Sequence, residues 1–283
     1  MIIELQGFDV MEEVLRRDYE ESVIMADGRL KIERIDKVMV ITITRPEVLN
    51  ALDVETVLGL RDIFTGLSDN LSVEVVVLAG EGSLFVSGGD LVQFSKLKGQ
   101  VGGRALSELV GEVLGSLSRL SQISIAAIGG DAYGGGVELA LACDLRVVEA
   151  SAKLSLSQPR FGLTTGWGGG VRLSRLVGYS RALELLLTQR QVGGVEAERM
   201  GLVNEVVDDG RSLPRALELG AKVSAIGREV SEGIKSVLWA AEEESFDEAV
   251  LKEREIFSRL WGGERHDEKV QAFLERSSRT SSG

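Results

Sequence analysis

Residues 73–79 constrain this chain more than any other stretch. Apart from Glu74 they are all apolar, with Val73, Val75, Val76, Val77, Leu78 and Ala79 in succession. A strand with one wet face alternates apolar and polar side chains, and this run does not. It reads as a strand in a sheet covered on both faces. Residues 123–128 are a second strand of this kind, and residues 38–43 a third, ended by Pro46. Asp53 can N-cap a helix over 54–67. Helical spacing returns over 106–120 and 137–143, and 145–148 is again strand-like. Strands alternating with helices at roughly 30-residue spacing predict an α/β fold. There is no close internal repeat.

The chain reads as three regions. Residues 1–29 form an acidic N-terminal extension with weak helical spacing. Residues 30–212 are the α/β core. Residues 213–283 carry no strand signal and read as consecutive helices, including 246–260 and 267–276. The Ser-rich end, 277–283, is expected to be disordered.

Composition excludes several functions. With 32 Lys and Arg against 44 Asp and Glu, the net charge is −12. Nucleic acid and anionic membrane surfaces are therefore not expected partners, because both need a basic face. One histidine, His266, and one cysteine, Cys143, leave no Cys/His metal cluster and no internal disulfide. A nucleophile–histidine mechanism would need His266, which sits in a polar link near the chain end. No basic segment followed by an apolar stretch opens the chain, and no run reaches the ~18 residues of a membrane span. A soluble cytoplasmic protein is expected.

Two glycine-rich turns hold the candidate chemistry. Gly134, Gly135 and Gly136 stand between a strand and a helix, with Val137 and Glu138 next in the chain. Such glycines let backbone approach a ligand, and a helix start offers unpaired N–H groups. Those groups suit a developing oxyanion, and Glu138 would place an acid/base beside it. Glycine runs also serve tight packing, and an early-helix glutamate also serves the dipole. The second turn comes directly after a strand: Phe85, Val86, Ser87, Gly88, Gly89, Asp90, Leu91. It can supply a second N–H to the same oxygen, or simply turn the chain, with Asp90 capping the residues after it.

These residues resemble the crotonase family, also called the enoyl-CoA hydratase/isomerase family. Pro46, Asn50, Ala51 and Leu52 resemble its Pro-x-x-x-Asn-Ala-Leu opening, and Phe85 to Leu91 its Phe-x-x-Gly-x-Asp-Leu loop. Gly134 to Ala140, with Cys143 and Asp144, resemble its second signature. Gly166, Trp167, Gly168 and Gly169, then Arg172 and Leu173, resemble its Gly-x-Gly-Gly segment. Residues 201–207 resemble its Gly-Leu-Val-x-x-Val-Val segment. The match spans about residues 30–276.

The resemblance implies a crotonase-like spiral of ββα units with a C-terminal helical oligomerisation region that builds homotrimers or hexamers. It implies a lyase of fatty acid metabolism acting on an acyl-CoA or enoyl-CoA, with coenzyme A part of the substrate and no separate cofactor. Gly89 and Gly135 would hold the thioester oxygen, Ser87, Gly88, Gly89 and Asp90 would contact the coenzyme, and Glu138 would move protons beside an enolate.

The chain departs from the family at one decisive place. Family hydratases pair the glutamate at the Glu138 position with another twenty residues later, and that position here is Gln158. A gapped register would put Arg160 there instead. In either register the second carboxylate is missing, and glutamine cannot take a proton from water at neutral pH. The expectation is an enoyl-CoA hydratase with an atypical acid/base set. An acyl-CoA decarboxylase for malonyl-type substrates, needing only Glu138, is one alternative. A non-catalytic CoA-thioester-binding subunit is another. Asp131 is either a substitute acid or a solvated loop residue, and Trp167 either narrows an acyl pocket or fills core. Phe161, Phe257, Phe273 and Cys143 are expected in the core.

Overall fold

The apolar run around Val76 lies inside an eight-stranded sheet. The structure is a computed structural model that describes residues 3–4, 23–68 and 70–280. Its strands are β1 (Ile3–Glu4), β2 (Val23–Met25), β3 (Leu30–Ile35), β4 (Val38–Ile43), β5 (Val75–Gly80), β6 (Leu84–Val86), β7 (Ile123–Ile128), β8 (Asp131–Tyr133), β9 (Leu145–Glu149), β10 (Lys153–Ser155), β11 (Val192–Gly193) and β12 (Glu205–Val207). Its helices are α1 (Val54–Ser68), α2 (Leu91–Phe94), α3 (Gly99–Arg119), α4 (Gly135–Ala142), α5 (Gly169–Val177), α6 (Tyr179–Thr188), α7 (Gly194–Arg199), α8 (Ser212–Ile226), α9 (Arg228–Glu243), α10 (Phe246–Leu260) and α11 (Glu264–Thr280).

The large sheet runs β1-β2-β3-β4-β5-β7-β9-β12, and a four-stranded sheet runs β11-β10-β8-β6. From β4 through β12 all pairings in the large sheet are parallel. Side chains of β5 enter two different cores in turn. Val76 and Leu78 pack in one cluster with Phe64 of α1 and Leu114 of α3. Val75, Val77 and Ala79 pack in the other with Ile125 and Ala216, the latter on α8. Period two still operates, but neither face meets water, so the sequence shows no alternation.

Helix α1 begins as the sequence predicts, with the Asp53 carboxylate accepting from Thr56 N–H at 2.8 Å. Helix α3 starts at Gly99, earlier than the periodicity indicates. Glycine costs ~1 kcal/mol in a helix, and burial of Val110, Val113, Leu114 and Leu117 on the same helix offsets it.

The chain divides into units 1–225 and 226–283. In the second unit, α9 and α10 meet where Gly233 abuts Ile256: a Cβ there would lie 2.9 Å from Ile256 Cγ2. Three core expectations fail. Phe161, Phe257 and Phe273 are exposed; on α10 the covered face is the one that carries Ala249 and Ile256. Cys143 is buried as expected. Helix α11 continues to Thr280, through part of the expected disordered tail, because no Gly or Pro interrupts it. Residues 281–283 lie outside the described residues, as do 5–22, where the weak helical spacing falls. At the edges of that segment the extension contributes strands: β1 pairs with β2, and β2 with β3.

Helix α10 starts in a capping box, with Ser245 accepting from Glu248 N–H and the Glu248 side chain accepting from Ser245 N–H. Ser245→Ala is expected to lower stability by about 1 kcal/mol, read as a shift of the urea midpoint with an unchanged slope.

Candidate active site

Three parallel strands of the small sheet end side by side. Val86 of β6 pairs with Ala132 of β8, and Tyr133 of β8 pairs with Ser155 of β10. The chain leaving each strand therefore emerges at one edge. The first delivers Ser87 to Asp90, the second Gly134 to Glu138, the third Ser157 and Gln158. Residues dispersed over 70 positions of sequence come together through strand register alone.

The first loop lies along Leu52 as an isolated parallel bridge. Leu52 N–H donates to Gly88 O at 2.8 Å, and Asp90 N–H donates to Leu52 O at 2.8 Å. Gly89, between them, turns its own N–H the other way. On that side the Gly135 backbone approaches: a Cβ on Gly88 would lie 3.4 Å from Gly135 N. Gly134 is the N-cap of α4 with φ +51°, which favours glycine. Neither Gly89 N–H nor Gly135 N–H donates to an acceptor among the described residues. The structure brings these two expected donors together.

Glu138 is buried on the first turn of α4. Its Oε2 accepts from Trp167 N–H at 2.9 Å and Gly169 N–H at 2.8 Å. Its Oε1 accepts from Gln158 Nε2 at 2.8 Å, with Gly166 N–H at a long 3.5 Å. A buried carboxylate needs such donors to offset its lost hydration. Oε2 is saturated, whereas Oε1 keeps acceptor capacity. A Cβ on Gly169 would lie 2.4 Å from Glu138 Cγ, so that glycine is required by close approach.

Gln158, and not Arg160, faces Glu138. Both lie in a 3₁₀ turn, Gln158–Phe161. Arg160 is exposed and acts electrostatically on Tyr133. With Nε2 committed to the carboxylate, Gln158 Oε1 is buried without a hydrogen-bond partner. Flipping the amide would set oxygen against the Glu138 oxygen, so the orphan is a consequence of the pairing.

Asp90 and Asp131 are committed elsewhere. Asp90 Oδ1 accepts from Gln93 N–H as the N-cap of α2, and Oδ2 pairs with Arg45 at 3.1 Å. Arg45 also pairs with Asp53 at 3.0 Å, so one guanidinium ties the loop to α1. Burial raises the Asp53 carboxyl, but bonds from Thr56 and Arg29 outweigh it and hold it below the ordinary range. Asp131 accepts from Tyr133 OH at 2.5 Å and Lys153 N–H at 2.8 Å. Burial and Asp131 push the Tyr133 phenol up to about 12. Ser87 N–H donates to Leu49 O. His266 lies on α11, not in a link, with Nδ1 accepting from Gly262 N–H at 3.2 Å and its ring 4.6 Å from that of Trp261.

Sequence reasoning did not single out the N–H groups that clamp Glu138. The Gly-x-Gly-Gly segment was the available signal, since such glycines admit close approach. Among the described residues no group of three or more His, Cys, Asp or Glu could hold a metal, and no helix is long and apolar enough to cross a membrane.

A layered α/β scaffold with a buried carboxylate beside two unpaired backbone donors defines an enzyme of the acid/base class. The profile of the enoyl-CoA hydratase/isomerase family matches residues 33–280, and the chain belongs to that family. A crotonyl-CoA hydratase of Syntrophomonas wolfei is 32% identical over 253 residues, covering 89% of this chain and 97% of the relative. An ethylmalonyl-CoA decarboxylase of Danio rerio is 31% identical over 251 residues, covering 86% and 83%. The crystal structure of an enoyl-CoA hydratase from Bacillus anthracis superposes with TM-score 0.83 at 29% identity, covering 88% of this chain and 96% of that one. The crotonase-like fold expected from the motifs is the fold found.

Proposed function

We propose that this protein is an enoyl-CoA hydratase in which one carboxylate and one amide hold the reacting water. The observation that carries this reading is the clamped Glu138 carboxylate, whose Oε1 keeps acceptor capacity, on the helix that opens with the unpaired Gly135 N–H. Together with Gln158 Oε1, that acceptor suits a molecule with two O–H donors. The N–H groups of Gly89 and Gly135 receive the thioester oxygen and stabilise negative charge as it develops. Water, bonded to Glu138 Oε1 and Gln158 Oε1, adds its oxygen to Cβ of the enoyl group. Its proton passes to Glu138 while electrons move to the thioester oxygen as an enolate. Glu138 then returns that proton to Cα, the carbonyl re-forms, and one water has been added. Gln158 orients but transfers nothing. Coenzyme A belongs to the substrate, contacted by the loop from Ser87 to Asp90, with no separate cofactor.

A decarboxylase reading has one relative in its favour, and Glu138 alone would suffice to protonate the enolate. Mass spectrometry of CoA thioesters incubated with the protein separates the readings. Crotonyl-CoA gaining one water is expected. Loss of carbon dioxide from a malonyl-type thioester with no hydration would replace this reading. Tight binding without turnover would make the protein a thioester-binding subunit.

The family resemblance suggests a homotrimer or hexamer working in the cytoplasm. Phe257, Trp261 and Phe273 are exposed, and large apolar side chains in contiguous exposure mark interaction surfaces. Sedimentation at micromolar concentration is expected to give three or six chains; a clean monomer would contradict the assembly.

A further inference from the structure

Gly89 and Gly135 have no left-handed φ, so backbone strain does not explain why each lacks a side chain. The reason is aromatic packing: the Trp167 indole at Gly135, and the Phe94 ring with the indole edge next to it at Gly89. A Cβ on Gly135 would lie 2.0 Å from Trp167 Cζ3 and 2.6 Å from Cη2. A Cβ on Gly89 would lie 3.2 Å from the same Cη2, and 2.6 Å from Phe94 Cε2. The indole therefore rests on both donor loops at once. Trp167 is itself fixed at both backbone polar groups: its N–H donates to Glu138 Oε2 at 2.9 Å, and its carbonyl accepts from Arg172 Nη1 at 2.9 Å. Only 9% of its surface is exposed.

We propose that Trp167 is a positioning residue, whose indole sets the separation of the Gly89 and Gly135 N–H donors. The proposal rests on the reading that these donors hold the thioester oxygen. Both donors must lie within hydrogen-bond reach of one oxygen as its charge develops. The loops meet as bare backbone at Gly88 and Gly135, where a Cβ on Gly88 would lie 3.4 Å from Gly135 N, and the ring packs against both donor glycines beside that contact. Removing it leaves a void into which the glycine loops relax.

The test uses Trp167→Phe and Trp167→Ala, with folding checked by thermal melting. The main readout is the infrared stretch of a ¹³C-labelled thioester carbonyl in bound butyryl-CoA, which reports polarisation without turnover. In the wild type the stretch is expected at lower wavenumber than in solution. In Trp167→Ala most of that shift is expected to vanish, and kcat with crotonyl-CoA to fall ~10²-fold, the usual loss for one oxyanion donor. The backbone N–H to Glu138 survives both substitutions, so the pH profile is expected to keep its shape. Trp167→Phe, which keeps an aromatic ring, is expected to lie between, and it carries the test if the alanine variant does not fold. Folded variants with the full carbonyl shift and wild-type kcat would overturn the proposal while leaving the hydratase reading intact. A wild-type protein that binds butyryl-CoA with no carbonyl shift would overturn that reading and the proposal with it.

Discussion

Glu138→Gln is expected to slow crotonyl-CoA hydration by about 10²–10⁴-fold, the usual contribution of a positioned acid/base. The substitution changes chemistry more than packing. An amide oxygen at position 138 can still accept from Trp167 and Gly169 N–H, the two bonds that now end on Oε2. The new NH₂ would face Gln158, whose amide then flips to accept with Oε1, the atom that has no partner in the native pairing. The flip leaves Gln158 Nε2 where Oε1 now stands without a partner, so the pair keeps one orphaned group, as in the native protein, and the variant is expected to melt near the wild type and to bind butyryl-CoA. Turnover within threefold of the wild type in such a folded variant would remove Glu138 from proton transfer.

Gln158→Glu is expected to raise hydration at least tenfold, because a missing acid/base is worth ~10²–10⁴ and its placement here was not selected for that task. The side chains are nearly isosteric. The native contact from Gln158 Nε2 to Glu138 Oε1 is 2.8 Å, and two carboxylates at that distance cannot both ionise cheaply. One proton is then shared, and one carboxyl of the pair is raised above the ordinary range. Hydration needs one protonated and one ionised member. The gain is therefore expected below the raised pKa and lost as pH climbs through it, adding a basic limb to the pH–rate profile. Arg160→Glu is the control. Arg160 is exposed and lies beside Tyr133 rather than Glu138, so hydration is expected to stay unchanged. Unchanged hydration in Gln158→Glu, with normal thioester binding, would mean that the missing carboxylate is not limiting.

The placement of Gln158 shows what an ungapped count can establish. From Glu138 to Gln158 the chain runs through the rest of α4, the strands β9 and β10 and the start of a 3₁₀ turn, and this path sets the amide against the carboxylate. The clamp on Glu138 was less legible. Trp167 and Gly169 N–H groups belong to the backbone, and a residue type says little about where its N–H points. The exposed Phe257 and Phe273 misled in the opposite direction, since apolarity shows that a side chain needs cover but not whose.

What could be read without the fold was local: strands buried on both faces at 38–43, 73–79 and 123–128, helices over 54–67 and 137–143, the glycine turns before Glu138 and around Gly89, and a glutamine at position 158. Each is written in periodicity or residue type within a short window. The tertiary structure alone decided that Gly89, Gly135 and Gln158 meet, that Gln158 presents its oxygen while its nitrogen holds Glu138, and that one indole lies against both donor loops. Those facts depend on the register of β6, β8 and β10, which joins residues 20 to 70 positions apart. Register is fixed by how side chains of the whole core fit together, and no short window of sequence contains it.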